Sequence, residues 1–141
     1  MTIEEIQKEI IEEFSLFDNW LDKYEHLIEI GKSMSVMSQE HKTDDNIIKG
    51  CQSRVWLYAH IKDDKVYFSA DSDTVITKGL IALMLRVFNG QDPLLIAQSN
   101  TDFIDEIGLK EHLTPTRSNG LLVMIKQIKF YAIALKTKMK N

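Results

Sequence analysis

The sequence predicts an α+β fold, with a small antiparallel sheet of two to three strands flanked by helices. Three observations predict it. Apolar residues recur at helical intervals through the first thirty positions. They then alternate with polar ones between Ser53 and Ala70. Helical spacing returns from Thr74 to the end of the 141-residue chain. At that length one domain spanning residues 1–141 is expected, large enough to bury a core without disulfide staples.

The first helix is expected over Thr2 to Phe14. Thr2 and Glu5 have capping-box spacing, and Ile3, Ile6, Ile10 and Phe14 form one stripe. Ser15 restarts the pattern, with Asp18 three residues on, and Leu16, Trp20, Tyr24, Leu27 and Ile28 form a second stripe that Gly31 would stop. Polar residues from Ser38 to Asn46 read as an exposed loop.

Ile47-Ile48 is a candidate third strand leading into Gly50-Cys51. The clearest strand is Ser53 to Lys62, with Val55, Leu57, Ala59 and Ile61 on one face and Trp56, Tyr58 and His60 on the other. Asp63-Asp64 makes a tight turn, and Val66, Phe68 and Ala70 repeat the alternation. Asp71-Ser72-Asp73 would end the sheet and cap a helix over Thr74 to Phe88, which is apolar almost all round and therefore central. Gly79 would let that helix approach the sheet.

Asp92-Pro93 opens a short helix, and a further turn ends at Gly108. Leu109 to Gly120 reads as a second polar loop, with Ser118 or Asn119 capping a last helix over Leu121 to Lys138. Lys126, Lys129, Lys136, Lys138 and Lys140 suit the C-terminal half of that helix.

Composition narrows the function classes. A net charge of −4 and a pI near 5.5 argue against a broad nucleic-acid footprint. No apolar run approaches a membrane span, and Met1 leads into an acidic helical segment instead of a signal peptide, so a cytoplasmic location is the default expectation. One cysteine permits neither an internal disulfide nor a Cys-rich metal site.

That cysteine is the centre of interest. A free cysteine is most often a small buried hydrophobe. Three features of Gly50-Cys51-Gln52-Ser53-Arg54-Val55-Trp56 pull the other way: the adjacent glycine, the position at an element boundary, and Arg54, which would favour the thiolate if the chain folds back. Arg117, in a proline-containing segment, gains meaning only if that segment lies beside Cys51. A cysteine hydrolase would need one of His26, His41, His60 or His112 near the thiol, and none has a spacing that recommends it.

Three segments together resemble the SufE family of sulfur acceptors. They are Gly50-Cys51-Gln52-Ser53-Arg54-Val55-Trp56, then Asp71-Ser72-Asp73 with Gly79-Leu80, then His112-Leu113-Thr114-Pro115-Thr116-Arg117-Ser118-Asn119-Gly120-Leu121. The resemblance implies an α+β fold like that of IscU-type scaffolds. It implies a protein, not itself an enzyme, that accepts persulfide sulfur on Cys51 from a cysteine desulfurase, stimulates it, and relays the sulfur to iron–sulfur assembly. The desulfurase would be SufS-like or CsdA-like and would carry the pyridoxal phosphate; no cofactor would be bound here. Downstream partners would be iron–sulfur scaffolds, with no nucleic acid or membrane, and the protein would be a monomer or weak homodimer. By the same resemblance Asp73 and Arg117, with Gln52 and Arg54 beside the thiol, are loop or partner contacts. Met34, Val36 or Trp56 could wall a pocket sheltering the persulfide. A non-carrier adaptor and an unrelated cysteine hydrolase remain as alternatives.

Overall fold

The structure, a computed structural model, describes residues 1–139; Lys140, one of the expected last-turn lysines, lies outside the described residues. The chain runs α1 (Ile3–Phe14), α2 (Trp20–Ser33), a 3-10 turn (Asp44–Asn46), β1 (Val55–Lys62), β2 (Lys65–Ser72), α3 (Val75–Phe88), α4 (Pro93–Gln98), α5 (Asp102–Glu106), α6 (Leu109–His112) and α7 (Pro115–Met139). This is the α+β arrangement, with a two-stranded antiparallel sheet.

The expected capping box is present: Thr2 Oγ1 accepts the Glu5 amide at 3.1 Å and Glu5 Oε1 accepts the Thr2 amide at 3.0 Å. Its stripe, Ile3, Ile10 and Phe14, is buried. The hairpin follows the expected alternation. Val55 pairs with Ser72 and Lys62 with Lys65, and Asp63 and Asp64 both take left-handed φ values of 52° and 64°, the combination a type I′ turn needs. Ile47-Ile48 does not become a third strand. It makes a single bridge to Trp56, with the Ile48 amide donating to the Val55 carbonyl at 2.8 Å.

α3 is the central helix, and ten of its fourteen residues are buried. One side meets the inner face of the sheet and the other meets α2. Two glycines set that crossing. A Cβ on Gly79 would sit 2.4 Å from the Leu27 carbonyl oxygen, and one on Gly31 would sit 2.9 Å from the Gly79 nitrogen. Gly31 is therefore not a stop signal, and Gly79 serves α2, not the sheet. The two helix backbones touch there, and side chains would force them apart.

The second helix begins later than the apolar pattern suggests. Asn19 caps it by accepting the Asp22 amide at 2.9 Å, and Leu16 is left exposed. The largest departure lies between Leu109 and Gly120. This segment is helical, first as α6 and then as the start of α7. Thr114 Oγ1 accepts the Arg117 amide at 3.2 Å, and Pro115 occupies the first turn, where its missing N–H costs nothing. On α7, Leu121, Met124, Ile125, Ile128 and Ala132 are buried, and Leu135 is partly buried against the core.

Arg86 on α3 clamps the end of α1 through Glu9 at 3.0 Å and Glu13 at 2.6 Å. The guanidinium holds the Glu13 carboxyl below its ordinary range, and His26 adds to the effect. A depressed carboxyl contributes stability above the unfolded carboxylate range, and that contribution is lost as pH falls through the folded value.

Candidate functional site

Cys51 lies at the bend between the Ile47–Trp56 bridge and β1. Gly50 supplies the bend with φ +95°, a conformation glycine adopts freely, and lies beside Val123 of α7, which a Cβ there would meet at an ordinary contact distance of 3.4 Å. The thiol is half-buried, and Cys51 Sγ lies 3.6 Å from the Gly120 carbonyl oxygen on α7, positioned to donate to it. It opens on a cavity of about 380 Å³ lined by Gln52, Ser53, Thr74, Thr77, Thr114, Thr116, Arg117, Gly120 and Met124.

This lining corrects the expected apolar pocket. Trp56 lies on the outer face of the sheet under Lys42, Met34 lines a separate groove with His26, Arg86 and Phe68, and Val36 is 96% exposed. The walls around the thiol are instead largely hydroxyls. Ser53 Oγ and Thr74 Oγ1 are 3.1 Å apart, and the buried Thr77 Oγ1 donates to Ser53 Oγ at 3.4 Å. These residues were not singled out in the sequence. The one local signal was a buried-side threonine on an otherwise apolar helix.

The other sequence candidates divide into two groups. Gln52 and Arg117 line the cavity with Cys51. Arg54 and Asp73 do not; they fasten the loop. Asp73 Oδ1 accepts the Arg54 amide at 3.1 Å, the Asp73 amide donates to the Arg54 carbonyl at 3.2 Å, and Ser72 Oγ donates to the same carbonyl at 2.9 Å. Asp71-Ser72-Asp73 is thus not the α3 cap. Thr74 holds the N-cap position without a side-chain bond to the helix, and Asp71 pairs with Lys42 at 2.8 Å and Lys78 at 3.4 Å. The pinning role of Asp73 has a measurable consequence. Asp73→Ala should cost about 1 kcal/mol or less of global stability and should speed alkylation of Cys51 a few-fold by loosening the loop. Unchanged alkylation in a timed iodoacetamide assay would refute that role.

Burial pushes the Cys51 thiol above its ordinary pKa. The Arg54 side chain, expected to favour the thiolate, is exposed and outside the cavity lining. The Gly120 carbonyl acts in the same direction as burial, since it accepts from S–H and repels S⁻. Two pH effects follow. Alkylation of the resting protein should rise at higher pH than that of a free cysteine. Stability is full below the unfolded thiol range, about 8.5, and declines above it, because the unfolded chain then releases the proton while the fold retains it. A Cys51→Ser protein lacking that alkaline decline in thermal melts would identify the group; the same decline in both proteins would sink the assignment.

None of the four histidines lines this cavity. His26 pairs with Glu13, His41 stacks on Tyr58, His60 lies between Tyr58 and Tyr67, and His112 stacks on Trp20. The structure therefore offers no general base for a cysteine hydrolase at this thiol. Among the described residues no group of three or more His, Cys, Asp or Glu could hold a metal ion. No described helix is long and apolar enough to cross a membrane.

Comparison with known proteins shows the family and the fold. The family described as "SufE: Fe-S metabolism associated domain" matches residues 8–132. An uncharacterized SufE-like protein of Rhizobium meliloti is 38% identical over 126 residues, covering 86% of this chain and 90% of that protein. One of Synechocystis is 38% identical over 125 residues, covering 89% and 79%. SufE-like protein 1, chloroplastic/mitochondrial, of Arabidopsis thaliana is 36% identical over 140 residues, covering 96% of this chain and 38% of that longer protein. The solution structure of a hypothetical protein from Thermus thermophilus superposes with a TM-score of 0.78 at 19% identity, covering 94% and 96% of the two chains, a likeness of fold.

Proposed function

Because the chain belongs to the SufE family, and so to iron–sulfur metabolism, we propose that Cys51 is a sulfur acceptor. It takes the terminal sulfur of a persulfide held by a cysteine desulfurase, SufS-like or CsdA-like, stimulates that enzyme, and passes the sulfur to iron–sulfur scaffolds. On this reading the protein works in the cytoplasm as a single domain, with no cofactor of its own; the pyridoxal phosphate belongs to the desulfurase. The observation that carries the reading is the placement of the chain's one thiol, held on Gly120 at the mouth of a hydroxyl-lined cavity without a histidine.

The step is an exchange without net redox change. Cys51 loses its proton and its thiolate attacks the outer sulfur of the donor persulfide. A new S–S bond forms at Cys51, the donor's S–S bond breaks, and the donor cysteine leaves as a thiolate that takes up a proton. In the resting geometry Sγ–H faces a carbonyl, which opposes the thiolate. Acceptance therefore requires Cys51 to leave Gly120 as the donor docks. The terminal sulfur is then an anion, for which the Ser53, Thr74 and Thr77 hydroxyls and Arg117 supply donors that a carbonyl cannot.

The test is intact-protein mass spectrometry of this protein mixed with a desulfurase and free cysteine, followed by peptide mapping. Reductant-labile sulfur on Cys51 supports the reading. Raised desulfurase turnover with no sulfur on Cys51 would replace it with the adaptor role. No effect on either count would overturn both.

A further inference from the structure

α7 is unlike the rest of the chain in charge. Between Pro115 and Met139 it carries Arg117, Lys126, Lys129, Lys136 and Lys138 and no carboxylate, within a protein of net charge −4. Lys129 is engaged by the Ser99 carbonyl at 2.6 Å, whereas Arg117 and Lys126 have no carboxylate within ion-pair distance among the described residues. The helix is also apolar on the side facing away from the core. Leu122 is 43% exposed, Phe130 61% and Ile133 55%. At about 100° per residue, positions 122, 126, 130 and 133 fall within an arc of roughly 80°. The buried stripe, Leu121 to Ala132, occupies the other side of the helix. An exposed helix of a water-soluble domain ordinarily turns a polar face outward.

α7 also carries one wall of the acceptor site, about 120° round the helix from the middle of this stripe. Its first turns hold Gly120, against which the thiol rests, Val123, which packs on the bend at Gly50, and Arg117, which lines the cavity. From Leu122 to Ile133 the stripe runs about 16 Å away from the sulfur, at 1.5 Å per residue. A partner that covers the stripe and wraps the first turn of α7, past the exposed Asn119 and Thr116, would meet Cys51.

We propose that the outward stripe of α7, Leu122, Lys126, Phe130 and Ile133, is the docking surface for the sulfur donor, which meets it with apolar side chains bordered by carboxylates. The inference rests on the acceptor reading of Cys51 and adds where the partner sits and what its surface carries. Charge complementarity favours an acidic protein face over a second copy of this chain, since pairing two α7 helices would set unpaired lysines against each other. The donor is the partner that meets Cys51 as a free thiol held on Gly120. Contacts on the same helix can offset the cost of drawing the thiol out of its resting position.

The experiment is calorimetric titration of the full-length protein into its cognate, pyridoxal-phosphate-loaded desulfurase, using wild type, a Phe130→Ser/Ile133→Ser double variant and Lys126→Glu. Far-ultraviolet circular dichroism melts serve as the folding control. The double variant should bind at least about tenfold more weakly. Lys126→Glu should weaken binding several-fold, and wild-type affinity should fall with added salt more steeply than that of this variant. At saturating donor the rate of sulfur loading on Cys51 should be unchanged in the double variant. Wild-type affinity in the double variant would overturn the proposal. So would concentration-dependent dimers in sedimentation that the double variant abolishes, which would make the stripe a self-association face, or binding to phosphatidylglycerol vesicles with no effect on donor affinity. A wild-type protein that binds the desulfurase through this stripe but gains no sulfur on Cys51 would leave the docking surface standing and overturn the acceptor role alone.

Discussion

Cys51→Ser is expected to abolish sulfur loading, by about a hundredfold or more in rate, while leaving the fold intact. A serine hydroxyl is not a nucleophile toward a sulfur–sulfur bond at neutral pH, since it carries no appreciable anion there. The structural cost is small. Cys51 Sγ makes one polar contact, to the Gly120 carbonyl, and a serine hydroxyl can make it too. The thiol is half-buried, so the substitution leaves no closed cavity. The melting transition should shift by no more than that of an ordinary surface change, about 0.5 kcal/mol. Retained, reductant-labile sulfur in the serine protein, with wild-type melting, would remove Cys51 from the mechanism.

The second large effect is expected far from the thiol. Gly79→Ala would ordinarily stabilise a helix interior by about 1 kcal/mol. Here the new Cβ would lie 2.4 Å from the Leu27 carbonyl oxygen, a backbone atom that cannot rotate away. The helices α2 and α3 would have to separate, and the predicted sign reverses to a loss of about 3 kcal/mol. For a chain of this length that corresponds to a fall in melting temperature of roughly 10 °C. A stabilised or unchanged Gly79→Ala protein in thermal melts would show that the crossing is not as tight as described. Gly31→Ala should act in the same direction, and the double variant should cost less than the sum, because one separation of the helices relieves both clashes.

Much of this fold was legible because its signals are local. The Thr2/Glu5 box, the alternation through the hairpin and the Asp92-Pro93 start each specify their element within a few residues. The errors came where one residue type has two uses. Pro115 reads as part of a loop, yet at the first turn of a helix it is a starter, with the Thr114 hydroxyl accepting the Arg117 amide. Gly31 reads as a terminator, but what fixes its role is Gly79, which lies 48 positions on. Asp71-Ser72-Asp73 has the composition of a helix cap, and its side chains turn instead to Lys42, Lys78 and the Arg54 backbone.

The site was half legible for the same reason. The single cysteine beside a glycine drew attention to itself. The resemblance that also marked Arg117 and Asp73 did not distinguish the residue that lines the cavity from the residue that holds the loop. The hydroxyl wall was barely legible, since Thr74 and Thr77 line the cavity from the start of α3, and Thr114 and Thr116 from the start of α7. No local pattern marks a threonine whose neighbour in space lies sixty residues away in the chain.

The two fastenings of the bend at Cys51 limit how far the thiol can travel. Ile48 is tied to Val55 on one side, and Ser53 and Arg54 are tied to the start of α3 and the end of β2 on the other. Cys51 stands two residues from the nearer anchor, so with both ties kept its backbone can move no more than about 7 Å from Ser53. In the proposed acceptor role the protein would therefore be a short arm, not a long tether, and a protein that gives sulfur to it or takes sulfur from it would have to bring its own reacting atom out to meet that small radius.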